Sequence, residues 1–160
     1  MSATEPDNNS KIISLEGKYL TFVLNNEEYG LEILKVREII GVMDITHVPQ
    51  TPPYIKGIIN LRGKVIPVVD LRLQFTMPEI EYTKETCIIV VDIGNRLMGI
   101  IVDTVSEVLD ITAKDIEPTP SLGNDIKTNF ILGMGKIKGE VKILLDINRV
   151  LTFDELALPA

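Results

Sequence analysis

The sequence predicts a mainly β protein built from two similar halves, and three observations carry that expectation. β-Branched aliphatic residues are in excess, turn-forming residues separate short apolar runs, and one set of residues recurs at fixed offsets. The chain of 160 residues holds 23 Ile and 14 Val against 17 Leu and 4 Ala. That bias suits half-buried pleated surfaces better than helices.

Apolar runs of strand length fall at 19–24, 29–33, 39–43, 57–61, 65–71, 87–93, 97–102, 108–111, 134–137 and 141–147. About ten short strands are the content of a barrel or a sandwich. Asn25-Asn26-Glu27 and Gly94-Asn95-Arg96 separate the first two runs of each half, and both contain residues that tolerate positive φ and close hairpins. Arg62-Gly63-Lys64 and Lys138-Gly139-Glu140 do the same for the later pair. Helix is scarce: single helical turns are expected at 52–55, 71–75 and 127–130. A short terminal helix is expected at 148–156, where Thr152 precedes Glu155 at capping-box spacing, covering an open strand edge.

The repeat becomes explicit when the halves are aligned. Gly30 matches Gly99, Val36 matches Val105 and Glu38 matches Glu107 at an offset of 69. Tyr54 matches Phe130, Gly57 matches Gly133, Gly63 matches Gly139 and Asp70 matches Asp146 at an offset of 76. The additional residues fall in 112–128, a segment rich in Pro, Gly, Asp and Asn. The expected organisation is a flexible tail over 1–16 and a single domain over 17–157. Within that domain, two barrels at about 18–77 and 86–148 are joined by the charged segment 79–85. Halves of ~60 residues are marginal alone, so they should pack together and leave a groove along their seam.

Composition narrows the function. A formal charge of −7 repels nucleic-acid phosphates and anionic lipid headgroups. No apolar run approaches membrane-spanning length, and the first ten residues lack the basic start and apolar core of a secretory signal, so a cytoplasmic location is expected. The single cysteine, Cys87, lies in an apolar β-branched run and reads as a structural thiol. His47 and Cys87 fall in different halves, and no metal-ligand cluster is legible, so neither metal nor cofactor is expected. Gly133-Met134-Gly135-Lys136 lacks the spacing of a phosphate loop and is followed by Ile137, where Ser or Thr would be needed. Asp70 and Asp103 could serve as paired acids in a small enzyme, but Asp146 repeats Asp70 and favours a strand-end role. With no Trp and dispersed Phe and Tyr, no aromatic platform for bases is present. What is left is a protein that presents surfaces to other proteins.

The segment Gly57-Ile58-Ile59-Asn60-Leu61-Arg62-Gly63-Lys64-Val65-Ile66-Pro67-Val68-Val69-Asp70-Leu71-Arg72 resembles the signature of CheW-type chemotaxis coupling proteins. The stretch from Glu28 to Ile39 and the stretch from Gly99 to Val108 are similar to that family too, and the resemblance covers residues 17 to 157. It implies two five-stranded SH3-like barrels around a shared core, with short helical turns and a short C-terminal helix. It also implies a non-catalytic adaptor that couples methyl-accepting chemoreceptors, at their cytoplasmic tip, to the regulatory domain of the histidine kinase CheA. Membrane association would then come only through receptors. Carried over by position, the receptor groove takes Ile33, Val36, Val102, Val105 and Val108, whose alternative reading is ordinary core packing. The kinase surface takes Glu38, Ile39, Val42, Gly57 and Arg62, with a turn or bulge demand as the alternative for Gly57. A coupling protein of a non-flagellar pathway, such as pilus motility, would use the same fold.

Overall fold

The computed structural model describes residues 8–120 and 129–151. Helix α1 (Asn8–Leu15) leads into β1 (Gly17–Leu24), so part of the stretch read as a tail is helical. β1 turns into β2 (Glu27–Glu32), and a 3-10 turn, Ile33–Lys35, leads to β3 (Val36–Gly41). β4 (Ile55–Leu61), β5 (Lys64–Asp70) and helix α2 (Leu71–Gln74) complete the first half. The second half repeats the plan with β6 (Cys87–Ile93), β7 (Arg96–Val102), β8 (Thr104–Ile111), β9 (Ile116–Glu117), β10 (Ile131–Ile137), β11 (Glu140–Leu145) and helix α3 (Ile147–Val150). No helix among the described residues is long and apolar enough to cross a membrane.

The tight hairpins close where the sequence supplies residues that accept positive φ. Asn25 and Asn26 (φ 51° and 67°) join β1 to β2, and Gly94 (φ 63°) opens the turn from β6 to β7. Arg62-Gly63 (51°, 87°) and Lys138-Gly139 (52°, 81°) make the same turn in the two halves. Two successive positive φ values match the twist of the flanking strands.

The strands form two sheets, ordered β8-β1-β2-β11-β10-β9 and β3-β6-β7-β5-β4. Two features depart from the expected pair of self-contained barrels. The sheets remain open rather than closing, and neither is built from one half of the sequence. Hairpin β1–β2 belongs to the first half but inserts among second-half strands, pairing antiparallel with β8 and parallel with β11. Hairpin β6–β7 belongs to the second half but inserts between β3 and β5 of the first. The exchange buries strand edges that a self-contained half would leave against solvent, and it threads both halves through one structure.

The internal repeat survives this exchange. Gly30 stands opposite Leu144 and Gly99 opposite Val68, equivalent rungs of the two parallel ladders. The irregularities recur as well, between Ile55 and Gly57 in β4 and between Ile131 and Gly133 in β10. The inserted segment contributes β9, whose Ile116 and Glu117 pair with Gly135 and Met134, and residues 121–128 of that segment lie outside the described residues. In the first half a single bridge, Thr46 to Ile58, holds the matching place.

Asp70 and Asp146 have the strand-end role that their repetition suggests. Each carboxylate accepts from a backbone N–H three residues on, Leu73 and Arg149 respectively, and so caps α2 and α3. The segment 52–55 is a turn closed by Ile55 N–H to Pro52 O rather than a helix. The expected terminal helix begins at Ile147, and Thr152 and Glu155 lie outside the described residues. Cys87 is half-buried, with Sγ 3.3 Å from Glu85 O.

The largest apolar cluster lies between the sheets and draws Phe22, Leu31 and Leu145 from one and Val69, Ile89, Met98 and Ile100 from the other. A smaller cluster around Tyr19 and Ile111 packs under the β9–β10 side. The Tyr19 hydroxyl donates to Leu15 O at 2.6 Å. Burial, with Glu32 nearby, pushes its pKa up to about 12. The folded state therefore holds this proton more tightly than the unfolded chain, whose tyrosines ionise near 10. Stability should be intact below pH 10 and decline as pH rises toward 12. Urea midpoints measured across pH 8 to 12 should show that decline, and Tyr19→Phe should lessen it, leaving what Tyr29 and Tyr82, also raised, contribute.

Candidate functional site

The five positions read as a groove fall at the seam where hairpins and adopted strands meet. Ile33 lies in the 3-10 turn after β2, Val36 begins β3 opposite Val91, Val102 ends β7, and Val105 in β8 stands opposite Phe22. Val102 is buried in the inter-sheet cluster, and Ile33, Val36 and Val105 pack against it half-exposed. Val102 is thus core, and Ile33, Val36 and Val105 border the same cluster with part of each side chain accessible. Val108 is different: it stands opposite Leu20 and is 49% exposed, outside that cluster. Leu34, beside Ile33, is 92% exposed and extends this apolar margin outward. Its signal in the sequence was only a second apolar residue in a short turn.

A polar clamp fixes the corner between Val102 and Val105. Arg72 grips Asp103 with two bonds, Nε to Oδ1 at 2.7 Å and Nη2 to Oδ2 at 2.8 Å, and its Nη1 donates to Pro78 O at 2.7 Å. The backbone N–H of Asn25 donates to the same carboxylate at 2.9 Å. The bond to Asp103 holds the Arg72 proton more tightly than usual, against the opposing effect of burial. Asp70 is equally committed: besides capping α2 it accepts the Tyr82 hydroxyl at 2.7 Å. Burial, with that bond, raises the Tyr82 pKa above its ordinary value. The two carboxylates that could have formed an acid pair are each held by structural partners.

The residues read as a kinase surface divide into two groups. Arg62, in the β4–β5 turn, forms an ion pair with Glu38 of β3, and Ile39 beside it is exposed. Val42 is half-buried against a cluster of Ile59, Ile66, Val68 and Ile88. Gly57 is buried at φ 144°, and a Cβ there would lie 2.0 Å from Thr46 O. It shapes the strand rather than offering a contact. His47 is exposed in the loop between β3 and β4, and among the described residues no three His, Cys, Asp or Glu gather as a metal site.

Beside the Arg62–Glu38 pair, a concavity of ≈ 850 Å³ opens on the second sheet, floored by Ile58, Val65, Ile66, Pro67 and Leu97. Arg37, Lys64 and Arg96 stand at its rim, Arg37 paired with Asp92 at 2.8 Å. Sequence reasoning missed it because five separated segments supply the lining. The repeat offered one clue. At the positions equivalent to Lys64 and Arg96 the other half carries Glu140 and Glu27, both exposed. The two equivalent faces are therefore opposite in charge.

Comparison with known proteins places this architecture. The family model described as "CheW-like domain" matches residues 18–155. A chemotaxis protein CheW of Klebsiella aerogenes is 43% identical over 141 residues, covering 88% of this chain and 85% of that protein. Protein FrzA of Myxococcus xanthus is 30% identical over 138 residues, covering 85% and 86%. The crystal structure of the scaffolding protein CheW of Thermoanaerobacter tengcongensis superposes with a TM-score of 0.80 at 38% identity, covering 88% of this chain and 95% of that one.

Proposed function

The chain belongs to the CheW-like family of chemotaxis adaptors, and from that premise we propose that it couples methyl-accepting chemoreceptors to the regulatory domain of the histidine kinase CheA. The observation that supports this reading is the presence of two kinds of accessible feature, one apolar and one charged. One is the half-exposed apolar margin of Ile33, Val36 and Val105, packed on buried Val102 at the seam. The other is the Arg62–Glu38 pair, with exposed Ile39 and the cation-rimmed concavity beside it.

An apolar margin of this kind suits one face of a receptor helix. Charges of opposite sign on equivalent faces orient a barrel-like partner, because a docked domain of similar shape meets attraction in one direction and repulsion in the other. Recruitment from the cytoplasm to receptor arrays follows from those two contacts. The likeness to protein FrzA supports a second reading, in which the same adaptor serves another chemosensory pathway with its own receptors and kinase.

Titration calorimetry with the kinase regulatory domain and a receptor-tip fragment tests the division. The Arg62–Glu38 pair is exposed and adds little to folding. Arg62→Ala should keep the circular dichroism of the parent yet lose about 1 to 3 kcal/mol of kinase binding. Lys138→Ala, the equivalent turn position, should lose little. Val36→Asp and Val105→Asp, once shown to fold, should weaken receptor binding and leave kinase binding near the parent value, because a carboxylate in an apolar groove loses hydration without gaining a partner. Equal loss of both partners would rule out separate faces.

A further inference from the structure

The exchange of hairpins raises a question that the repeat makes sharp. Because β1–β2 and β6–β7 are equivalent, as are the strands that receive them, each hairpin could in principle stay with its own half. We propose that the ion pair between Glu28 and Lys142, acting with Arg72–Asp103 in the other sheet, decides which hairpin each sheet accepts.

Glu28 of β2 and Lys142 of β11 face each other in the parallel ladder, with Nζ 2.5 Å from Oε2. Lys142 is only 4% exposed. At the equivalent positions of the other sheet, just before its parallel ladder begins at Val68–Gly99, stand Leu97 and buried Ile66, which share one apolar cluster. If each hairpin stayed with its own half, Glu28 would face Ile66 and Leu97 would face Lys142. A buried ammonium would then have an apolar neighbour in place of its carboxylate, a severe penalty for the wrong arrangement.

One further rung points the same way, since Asp70, opposite Ile101, would meet Glu32 in the unexchanged arrangement; the glycine rung does not discriminate. Gly30 faces Leu144 and Gly99 faces Val68, so exchanging the hairpins sets a glycine against an aliphatic residue either way. Two exposed ion pairs follow the same rule as the buried one. Lys18 of β1 meets Asp110 of β8, and Arg37 of β3 meets Asp92 of β6, each joining one half to the other. In the unexchanged arrangement Lys18 would face Gly41, and Arg37 would face Val23. Exposed pairs weigh little. The second pair with weight is Arg72–Asp103, which joins α2 to the end of β7; the unexchanged arrangement would set Arg72 against Leu34 and Asp103 against Asn148, so the two largely buried pairs act together. They work by making the alternative costly more than by stabilising the native sheet.

Cysteine trapping during refolding of the full chain tests this, in a Cys87→Ser background. Glu27 and Val141 are adjacent by the native register, whereas Glu27 and Val65 would be adjacent only in the unexchanged arrangement. In the parent, Glu27→Cys with Val141→Cys should cross-link, and Glu27→Cys with Val65→Cys should not. Glu28→Leu with Lys142→Ile reproduces the apolar pair of the other sheet, and apolar replacements of buried pairs are generally tolerated. This variant should fold and raise the non-native cross-link about tenfold, the equivalent of ~1.4 kcal/mol. Glu28→Lys with Lys142→Glu should retain the parent pattern. A cross-link distribution unchanged in the apolar variant would overturn the proposal. So would an apolar variant that forms neither cross-link, since the pair would then serve stability rather than choice.

Discussion

Asp103→Ala should cost the folded protein about 3 to 5 kcal/mol, the range for removing one partner of a buried ion pair. The size follows from what is left behind. The Arg72 side chain is 11% exposed and cannot turn to water without breaking its bond to Pro78 O. It would keep its charge and lose both bonds to the carboxylate. Asn25 N–H would lose its acceptor as well, loosening the β1–β2 turn from the corner that carries Val102 and Val105. Asp103→Asn keeps the shape and one acceptor oxygen and should cost less than the alanine variant. Urea unfolding with an unchanged m-value measures both. A loss below about 1 kcal/mol for Asp103→Ala would mean that Arg72 is solvated as an ordinary surface cation is.

Gly57→Ala should cost about 3 kcal/mol, and Gly133→Ala, its counterpart in the second half, about 1 kcal/mol or less. At Gly57 two effects combine. The φ of 144° is a conformation that residues with a Cβ rarely adopt, and the added methyl would lie 2.0 Å from Thr46 O. That carbonyl accepts from Ile58 N–H at 2.9 Å, so relieving the clash breaks the bridge that ties the β3–β4 loop to β4. At Gly133 the backbone is not strained, and the nearest atom, Glu117 O, would be 3.0 Å away. Thermal unfolding of the two variants side by side reads the difference directly. Similar costs would show that the steric contact at Gly57 relaxes easily. Val42 opens the loop that carries the bridge, so on the proposed coupling role Gly57→Ala should also weaken binding of the kinase regulatory domain.

The strands were legible because each is a β-branched run bounded by a turn residue with its own chemistry. Cys87–Ile93 has the expected limits; the others begin one to four residues earlier than expected, and β2, β3, β5 and β11 also stop one or two residues short. The repeated aspartates at 70 and 146 were legible as well, since one residue at two equivalent strand ends points to one local job. β9 was not, because two residues carry no periodicity. Neither was the exchange of hairpins. A repeat states which strands are equivalent, and for that very reason cannot state which copy of a hairpin meets which copy of a strand. Two of the residues that settle it, Glu28 and Lys142, are 114 positions apart, and each alone reads as an ordinary charge near a turn. The basic concavity was hidden in a similar way, while Arg62 and Glu38, which fall within one half, were legible as members of one surface.

The exchanged hairpins also set a timetable for synthesis. Every strand of the sheet β3-β6-β7-β5-β4 has been made once Val102 emerges, so that sheet can assemble while the remaining third of the chain is still being translated. Hairpin β1–β2 is made first of all, yet its parallel neighbour β11 is nearly the last strand to appear. At about 5 to 20 residues per second, the 114 residues separating Glu28 from Lys142 correspond to a wait of roughly 6 to 23 s. Throughout that interval the oldest strand on the ribosome has an open hydrogen-bonding edge. A nascent-chain chaperone that shields β2 should therefore raise the yield of folded protein more than one acting on the completed chain.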